Sequence, residues 1–497
     1  MMLPARPGDT VIGMETGVVT DGDGTRAAAR YPYRTHVDRL ETGRAARNRV
    51  SPADLGELPD GLLAGTSDRD ATGLLLQQAH SRVADLVPIR HGRMARTPFT
   101  FYRGAALVMA DDLSRSPHSG LTVQLCGDAH LSNFGFFASP ERRLVFDVND
   151  FDETYPGPFE WDVKRLAASL AVAAFDNGFD RKEAKKVARA CAREYRETMG
   201  NQAGLGTLAS WYTHAEPTDK LDEMRRIVDA PTSDSIRRQI KKAWRRDSLQ
   251  ALSKLTTVVD GELQFISTPP LIVPVEELAV DRDVSAIYGE LLERLPAFRA
   301  TMSPHHRVLL DKFEFLRMAR KVVGVGSVGT QAWVLLFRGK DNGDPLLLQA
   351  KEAQESVLAR YLDGPEYADQ GERVVNGQRL TQAVSDVFLG WNSGPGFDGI
   401  RRDFYLRQLR DGKGSVLIEA LDAAALSAYG RVCGRVLAYG HARSGDAVSI
   451  SEYLGTADEF DRAMGRFAVS YAERNLADHT EFVAAIDRGA VAAVDDY

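Results

Sequence analysis

Three polar residues at the ends of short apolar runs carry the clearest chemical signal in this chain. In CGDAHLSNFG, Asp128 is followed five residues later by Asn133, and Asp150 ends a second apolar run, Leu144–Val148. A carboxylate at such a loop can orient or deprotonate an attacking hydroxyl. An amide oxygen and a second carboxylate are hard ligands suited to a magnesium ion that bridges phosphates. This assigns Asp128 a catalytic role and makes Asn133 and Asp150 candidate metal ligands. Asp and Asn are also ordinary turn formers and caps, so the reading leans on the whole set. His130 either holds the loop or simply packs. Cys126 reads as a small buried residue, since no His–Asp pattern supports a thiol nucleophile.

A second constellation lies about two hundred residues later. Val323–Gln331, VGVGSVGTQ, places Gly324, Gly326 and Gly329 at G-x-G-x-x-G spacing, where missing side chains let backbone N–H groups approach phosphates. A dinucleotide site would open a helix directly after the glycines, but QAWVLLF reads as a strand. A polar turn and another apolar run, Leu346–Ala350, then lead to Lys351. Strand, glycine turn, strand, turn, strand and lysine suit a lid over a triphosphate, with Lys351 reaching its α- and β-phosphates. The carboxylate partner of Lys351 is left open between Glu355 and Glu372, with Gln378 opening the helix where such a partner often lies.

The elements that must position these groups follow from periodicity. Residues 1 to about 45 show no sustained pattern and read as a loosely ordered lead with one short strand at Thr16–Thr20. Helical spacing starts near Asp70, and a second helix is expected over Gly104–Ser114. Long amphipathic helices are predicted at Phe159–Asn177, Lys182–Met199 and Ser235–Leu255. After Pro304 comes a small mixed unit of strands with a helix at Gln378–Val387, and from Ala423 the chain is helical again. The expected organisation is an extension at 1–69, a helical lobe begun at 70–304, a β-rich lobe at 305–412 and helical completion at 413–497.

The spacing Asp128, Asn133, Asp150 resembles the catalytic loop and metal-binding aspartate of protein kinases. GDAHLSN is similar to the HGDxHxxN loop of aminoglycoside and choline kinases, with Cys126 where those carry His. NDFDET and FEWDVKRLA are similar to their IDFxD and yDLA stretches. The resemblance implies an α+β, protein-kinase-like two-lobed fold using ATP and Mg2+. It makes Asp162 a structural acid bracing the catalytic loop and gives Asp152 a possible part in holding a second magnesium. FYLRQLRD resembles the strand-to-hinge passage, so backbone near Gln408 and Leu409 is expected to meet the adenine. The lobes occur in reverse order. Tyr429–Arg443 resembles the helix that normally runs into the catalytic loop, which points to a circular permutation with the break just before that loop. LVPIRHGRM, TPFTFYRGAA, QLCGDAHLSNFG, GVGSVGT and LLQAKEA also resemble a bacterial family known as domain of unknown function 2252, whose name carries no substrate.

Composition bounds the alternatives. With a net charge of −7 and a pI of about 5.9, nothing overall favours nucleic acid or an anionic membrane as partner. Three scattered cysteines, Cys126, Cys191 and Cys433, argue against a disulfide framework or zinc module and for a reducing cytoplasm. The N-terminus lacks the design of a signal peptide. Arg90, Arg93 and Arg103 either grip an anionic substrate or make structural ion pairs. The basic run Arg237–Arg246 reads as a solvated helix face. The leading expectation is phosphoryl transfer from ATP to a hydroxyl, a small-molecule acceptor being slightly favoured over protein. Nucleotidyl transfer to a protein and a nucleotide-binding regulator without turnover are the alternatives, and a dehydrogenase ranks last.

Overall fold

In the computed structural model the described residues are 33–59, 61–62, 69–215, 254–279, 283–322, 324–396, 399–409 and 416–495. The expected strand at Thr16–Thr20 and most of the expected helix Ser235–Leu255 lie outside them. Helices and strands are both abundant, so the architecture is α+β.

The helical part is built around Glu160–Asp176, a helix buried on nearly every face. Its alanines, among them Ala167, Ala168, Ala171 and Ala174, let neighbouring helices approach closely, and four of them are fully buried. Arg181–Ala203 begins at a capping box between Asp180 and Glu183. It packs along Ala423–Ser444 and Glu459–Asp487, which come from the far end of the chain. Two small antiparallel pairs sit on this bundle. The strand β1 (Thr122–Leu125) pairs with β4 (Tyr155–Pro158), and β2 (Phe134–Ala138) pairs with β3 (Leu144–Val148).

The sheet-bearing part has a hairpin, β5 (Thr256–Val259) with β6 (Glu262–Phe265), and six further strands. These are β7 (Ile272–Pro274), β8 (Glu314–Lys321), β9 (Ala332–Arg338), β10 (Pro345–Ala353), β11 (Gly390–Pro395) and β12 (Arg401–Gln408). They form one antiparallel sheet in the order β11-β12-β10-β9-β8-β7. Alternation decides its faces. Trp333, Leu335, Leu348 and Leu406 pack against Ile287 and Phe298 of the helix Val284–Ala300. Val334, Leu336, Leu347 and Leu409 meet Leu263 and Phe265 of the β5–β6 hairpin.

Three expectations need correction. The boundary at 304/305 falls inside the sheet-bearing part, because β7 pairs with β8 and Val284–Ala300 covers the sheet. The lead is ordered from His36 to Arg49, a helix capped by Thr35 and Asp38. It docks through the small buried residues Gly43 and Ala46, with Arg44 and Arg47 meeting Glu452 and Glu459 at the rim. The helix expected at Gln378–Val387 spans Gln370–Thr381, capped by Asp369, so Gln378 closes it rather than opening it.

A buried ion cluster ties the segment before Ala71 to the bundle. The Arg69 guanidinium donates to Asp478 at 2.7 Å and Asp112 at 2.9 Å, and Tyr471 adds a hydrogen bond to Asp112 at 2.8 Å. Burial pushes the Asp112 carboxyl up to about 6 from 3.8, against the pull of Arg69. Its proton is therefore held more tightly in the folded state, and stability declines as pH rises through that interval. Replacing Arg69→Met leaves buried Asp112 without a cation while Asp478 keeps Arg474, and is expected to cost about 3 kcal/mol. Urea melts should show a larger loss at pH 8 than at pH 5, where Asp112 can take up a proton.

Candidate active site

β1 delivers Cys126-Gly127-Asp128 to the surface of the bundle, and the turn there is tightly specified. Gly127 has φ +84°, and a Cβ at this position meets the Glu153 carbonyl oxygen at 2.0 Å, so only glycine fits. Asp162, in the first turn of Glu160–Asp176, accepts from the N–H groups of Cys126 at 2.7 Å and Gly127 at 3.1 Å. Behind it, His441 Nε2 lies 3.2 Å from Asp162 and His441 Nδ1 is 2.8 Å from the Tyr195 hydroxyl. The bracing role inferred for Asp162 thus has a geometry.

Asp128 points into a cleft. Arg165, one turn beyond Asp162 on the same helix, donates from Nε to Asp128 Oδ1 at 2.8 Å, and its other end is held by the Tyr102 carbonyl. Burial raises the Asp128 carboxyl above its ordinary range, with Arg165 pulling the other way. Asn133 donates from Nδ2 to the Asp128 carbonyl at 2.9 Å, which leaves its Oδ1 as an available oxygen ligand. Its own carbonyl accepts from Asn149 N–H, tying the loop to the strand end that carries Asp150. His130 is buried beside Asp128, 3.6 Å from Oδ2, and burial lowers its pKa so that it is neutral.

Lys351 reaches this cluster from β10. Its Nζ lies 2.5 Å from Asp152 and 3.7 Å from Asp150, and it is 2% exposed. Tyr405, opposite Lys351 on β12, donates to the other Asp152 oxygen at 2.6 Å. Burial opposes the charge on Lys351, but the two carboxylates outweigh it and hold the ammonium protonated. Burial and the charge of Asp152 raise Asp150, whereas Asp152 ends below its usual range because Lys351 outweighs its burial. The partner of Lys351 is therefore the Asp150–Asp152 stretch, not Glu355 or Glu372. The helix expected to supply a carboxylate supplies Arg373 instead, which ties the carbonyls of Asp152, Thr154 and Gln354 together.

The cleft has a volume of about 430 Å³. Asp128, Asn133, Asp150 and Asp152 line one side, and Gly324, Gly326, Ser327 and Thr330 of the glycine loop another. Gly324 and Gly329 have φ of +69° and +93°. The loop is tied to the helical part: Arg82 donates to the Val328 carbonyl, Arg93 to that of Gly324, and Val83 N–H to that of Gly329. Gly329 faces Arg82 rather than the cleft, and Lys351 sits behind Asp152. Gln408 and Leu409 are not brought here. The Leu409 N–H donates to the Leu347 carbonyl at 2.8 Å and the Gln408 N–H to Asp386, so both N–H groups are already engaged. The strand pairing of β12 runs on through the position expected to be a hinge. Sequence reasoning passed over Arg165, Tyr405 and Arg373. Arg165 alone had a local signal, three residues beyond Asp162 on one helix face.

The fold and site define a class: a mixed α+β protein in which a helical bundle and an antiparallel sheet enclose an acidic cleft fitted with a buried lysine and a glycine loop. Residues 82–485 match the family model described as "Uncharacterized protein conserved in bacteria (DUF2252)", and the chain belongs to that family. No curated protein and no solved structure matches it.

The loop geometry makes Asp162 and Gly127 structurally decisive. Asp162→Ala strands two loop N–H groups away from water, and a loss of about 3 kcal/mol is expected in urea unfolding. Gly127→Ala should do at least as much. An Asp162→Ala protein as stable as the wild type would remove the brace from this account.

Proposed function

We propose that the protein is an ATP- and magnesium-dependent phosphotransferase acting on a hydroxyl, with a permuted protein-kinase-like arrangement. The observation that carries the reading is the meeting of two distant motifs: Lys351 contacts Asp152 at 2.5 Å and Asp150 at 3.7 Å, and those two carboxylates line a cleft together with Asp128, Asn133 and the glycine loop. The order β8, glycine loop, β9, turn, β10, Lys351 is the one a triphosphate lid requires. The reversed chain order finds support in the helix Ala423–Ser444, whose end lies against β1: Gln124 N–H donates to Ser444 Oγ at 3.2 Å. A chain break between that helix and β1 leaves the loop's supports in place, and active-site geometry depends on position in space, not on chain order.

In this reading Asp128 orients the acceptor hydroxyl and takes its proton. The acceptor O–H bond breaks, its oxygen bonds the γ-phosphorus, the bond from that phosphorus to the β,γ-bridging oxygen breaks, and ADP leaves. Arg165 holds Asp128 in place, and its raised pKa makes Asp128 a better base than an exposed aspartate. Lys351 neutralises phosphate charge once nucleotide competes for it.

Among the described residues no group of three or more His, Cys, Asp or Glu side chains is placed to hold a metal. Magnesium asks for less, since one or two protein oxygens suffice when phosphates supply others. Asp150 and the available Asn133 Oδ1 fit that demand, and the ion would supply charge neutralisation at the phosphates. The cleft volume lies in the range of small-molecule sites, which favours a small acceptor over a protein. Among the described residues no helix is long and apolar enough to cross a membrane.

Calorimetric titration of Mg·ATP into wild-type protein, Asp150→Asn and Lys351→Ala tests the reading. Binding that weakens about tenfold or more in both variants, ~1.4 kcal/mol, ties the two motifs to one nucleotide site. Wild-type protein that ignores millimolar Mg·ATP overturns it. Mass detection on acceptor screens then separates phosphoryl from nucleotidyl transfer.

A further inference from the structure

The cleft also carries three buried arginines whose hydrogen bonding is incomplete, and the carboxylates whose charge they feel are not in contact with them. Arg90 is wholly buried. Its Nη2 donates to Gln78 Oε1 at 2.9 Å and the Gly104 carbonyl at 2.8 Å, while Nε and Nη1 have no partner. Arg82 spends Nη1 on Val328, and its buried Nε is likewise unmatched. The buried Nε of Arg103 has no partner either. None of the three is ion-paired to a carboxylate among the described residues. The nearby acids are already engaged: Asp128 by Arg165, Asp152 by Lys351, Glu153 by the Val357 N–H and Glu352 by the Gln331 N–H.

Burying a guanidinium without a partner costs several kcal/mol. Burial depresses the pKa of all three, Arg82 to about 10, and the charge of Arg82 further disfavours that of Arg90. Three such groups around one cavity are best accounted for by a ligand that brings the missing negative charge. The planar fork of arginine suits phosphate oxygens bidentately. Arg103 also lines a second hollow of about 950 Å³ with Thr100, Ser132 and Asn177, and its leading charge partner is Asp128.

We infer that Arg82, Arg90 and Arg103 bind a phosphate group carried by the acceptor, so that the substrate class is a phosphorylated hydroxyl compound. The acceptor role rests on the phosphotransferase reading, whereas the anion site does not. The rival source of phosphate is the nucleotide's own terminal group.

Inorganic phosphate and a non-hydrolysable Mg·ATP analogue that keeps the γ-phosphate, each titrated calorimetrically, distinguish the two. The proteins are wild type, Arg82→Gln, Arg103→Gln, Arg103→Lys and Lys351→Ala, with circular dichroism melts to confirm folding. Arg90 is left intact because its burial makes misfolding a risk. The expected result is phosphate affinity reduced about tenfold or more in the arginine variants, Arg103→Lys included, and unchanged in Lys351→Ala. The Mg·ATP analogue should show the opposite pattern. Arginine variants that weaken the Mg·ATP analogue as much as phosphate assign the arginines to the nucleotide and overturn the proposal. Absence of phosphate binding, or binding indifferent to the arginines (an adventitious ion only), overturns it too. Arginine-dependent phosphate binding in a protein that ignores Mg·ATP retains the anion site and overturns the phosphotransferase reading.

Discussion

The contact on which the site depends is the buried ion pair between Lys351 and the Asp150–Asp152 stretch. It joins the central strand of the sheet to the loop after β3, and so the sheet to the helical bundle. An ammonium at this depth survives only because two carboxylates outweigh its desolvation. The arrangement is coupled, since Asp152 is ionised because Lys351 is near while Asp150 bears the repulsion of Asp152. Tyr405 and Arg373 complete it, one saturating the free Asp152 oxygen and the other gathering the surrounding carbonyls. Any ligand that draws Lys351 away must offer negative charge of its own, which is what a polyphosphate does.

The large helical bundle serves mainly to hold one turn. Asp162 receives two N–H groups of the Cys126–Asp128 turn, His441 and Tyr195 stand behind it, and Arg165 clamps Asp128 from the same helix. Tyr429 adds a hydrogen bond from its hydroxyl to the Leu131 carbonyl. Supports from residues as distant as 162 and 441 converge on a few atoms. The loop is thus pre-organised by packing, and little of the entropy of ordering it remains to be overcome on ligand binding.

Charge in the cleft is divided in space. Acids and Lys351 balance one another on the side of β10 and β3, while the helices between Ala71 and Ser114 present arginines whose hydrogen bonding is incomplete. The glycine loop lies between, held to the arginine side through the carbonyls of Gly324, Val328 and Gly329.

The residues that gather at the candidate site were legible in the sequence because their signals are local. Asp128 and Asn133 share one turn, Asp162 opens the next helix, and Lys351 ends an apolar strand. Those cues follow from chain geometry over a few residues. The α+β character and most long helices were legible for the same reason. What the sequence could not determine are the partnerships between segments far apart in the chain. Lys351 with Asp152, Asp162 with His441 and Arg373 with the Asp152–Thr154 carbonyls depend on how helices and sheet pack. Gln408 and Leu409 were assigned to a base contact from a local likeness, yet continued pairing with β10 consumes the Leu409 N–H. The helix at His36–Arg49 was missed because it docks through Gly43 and Ala46, too small and too few to make an apolar stripe. Local spacing determined which groups are available for chemistry. Tertiary packing alone decided which of them meet, because burial and counter-charge are properties of the folded interior and not of any short stretch of chain.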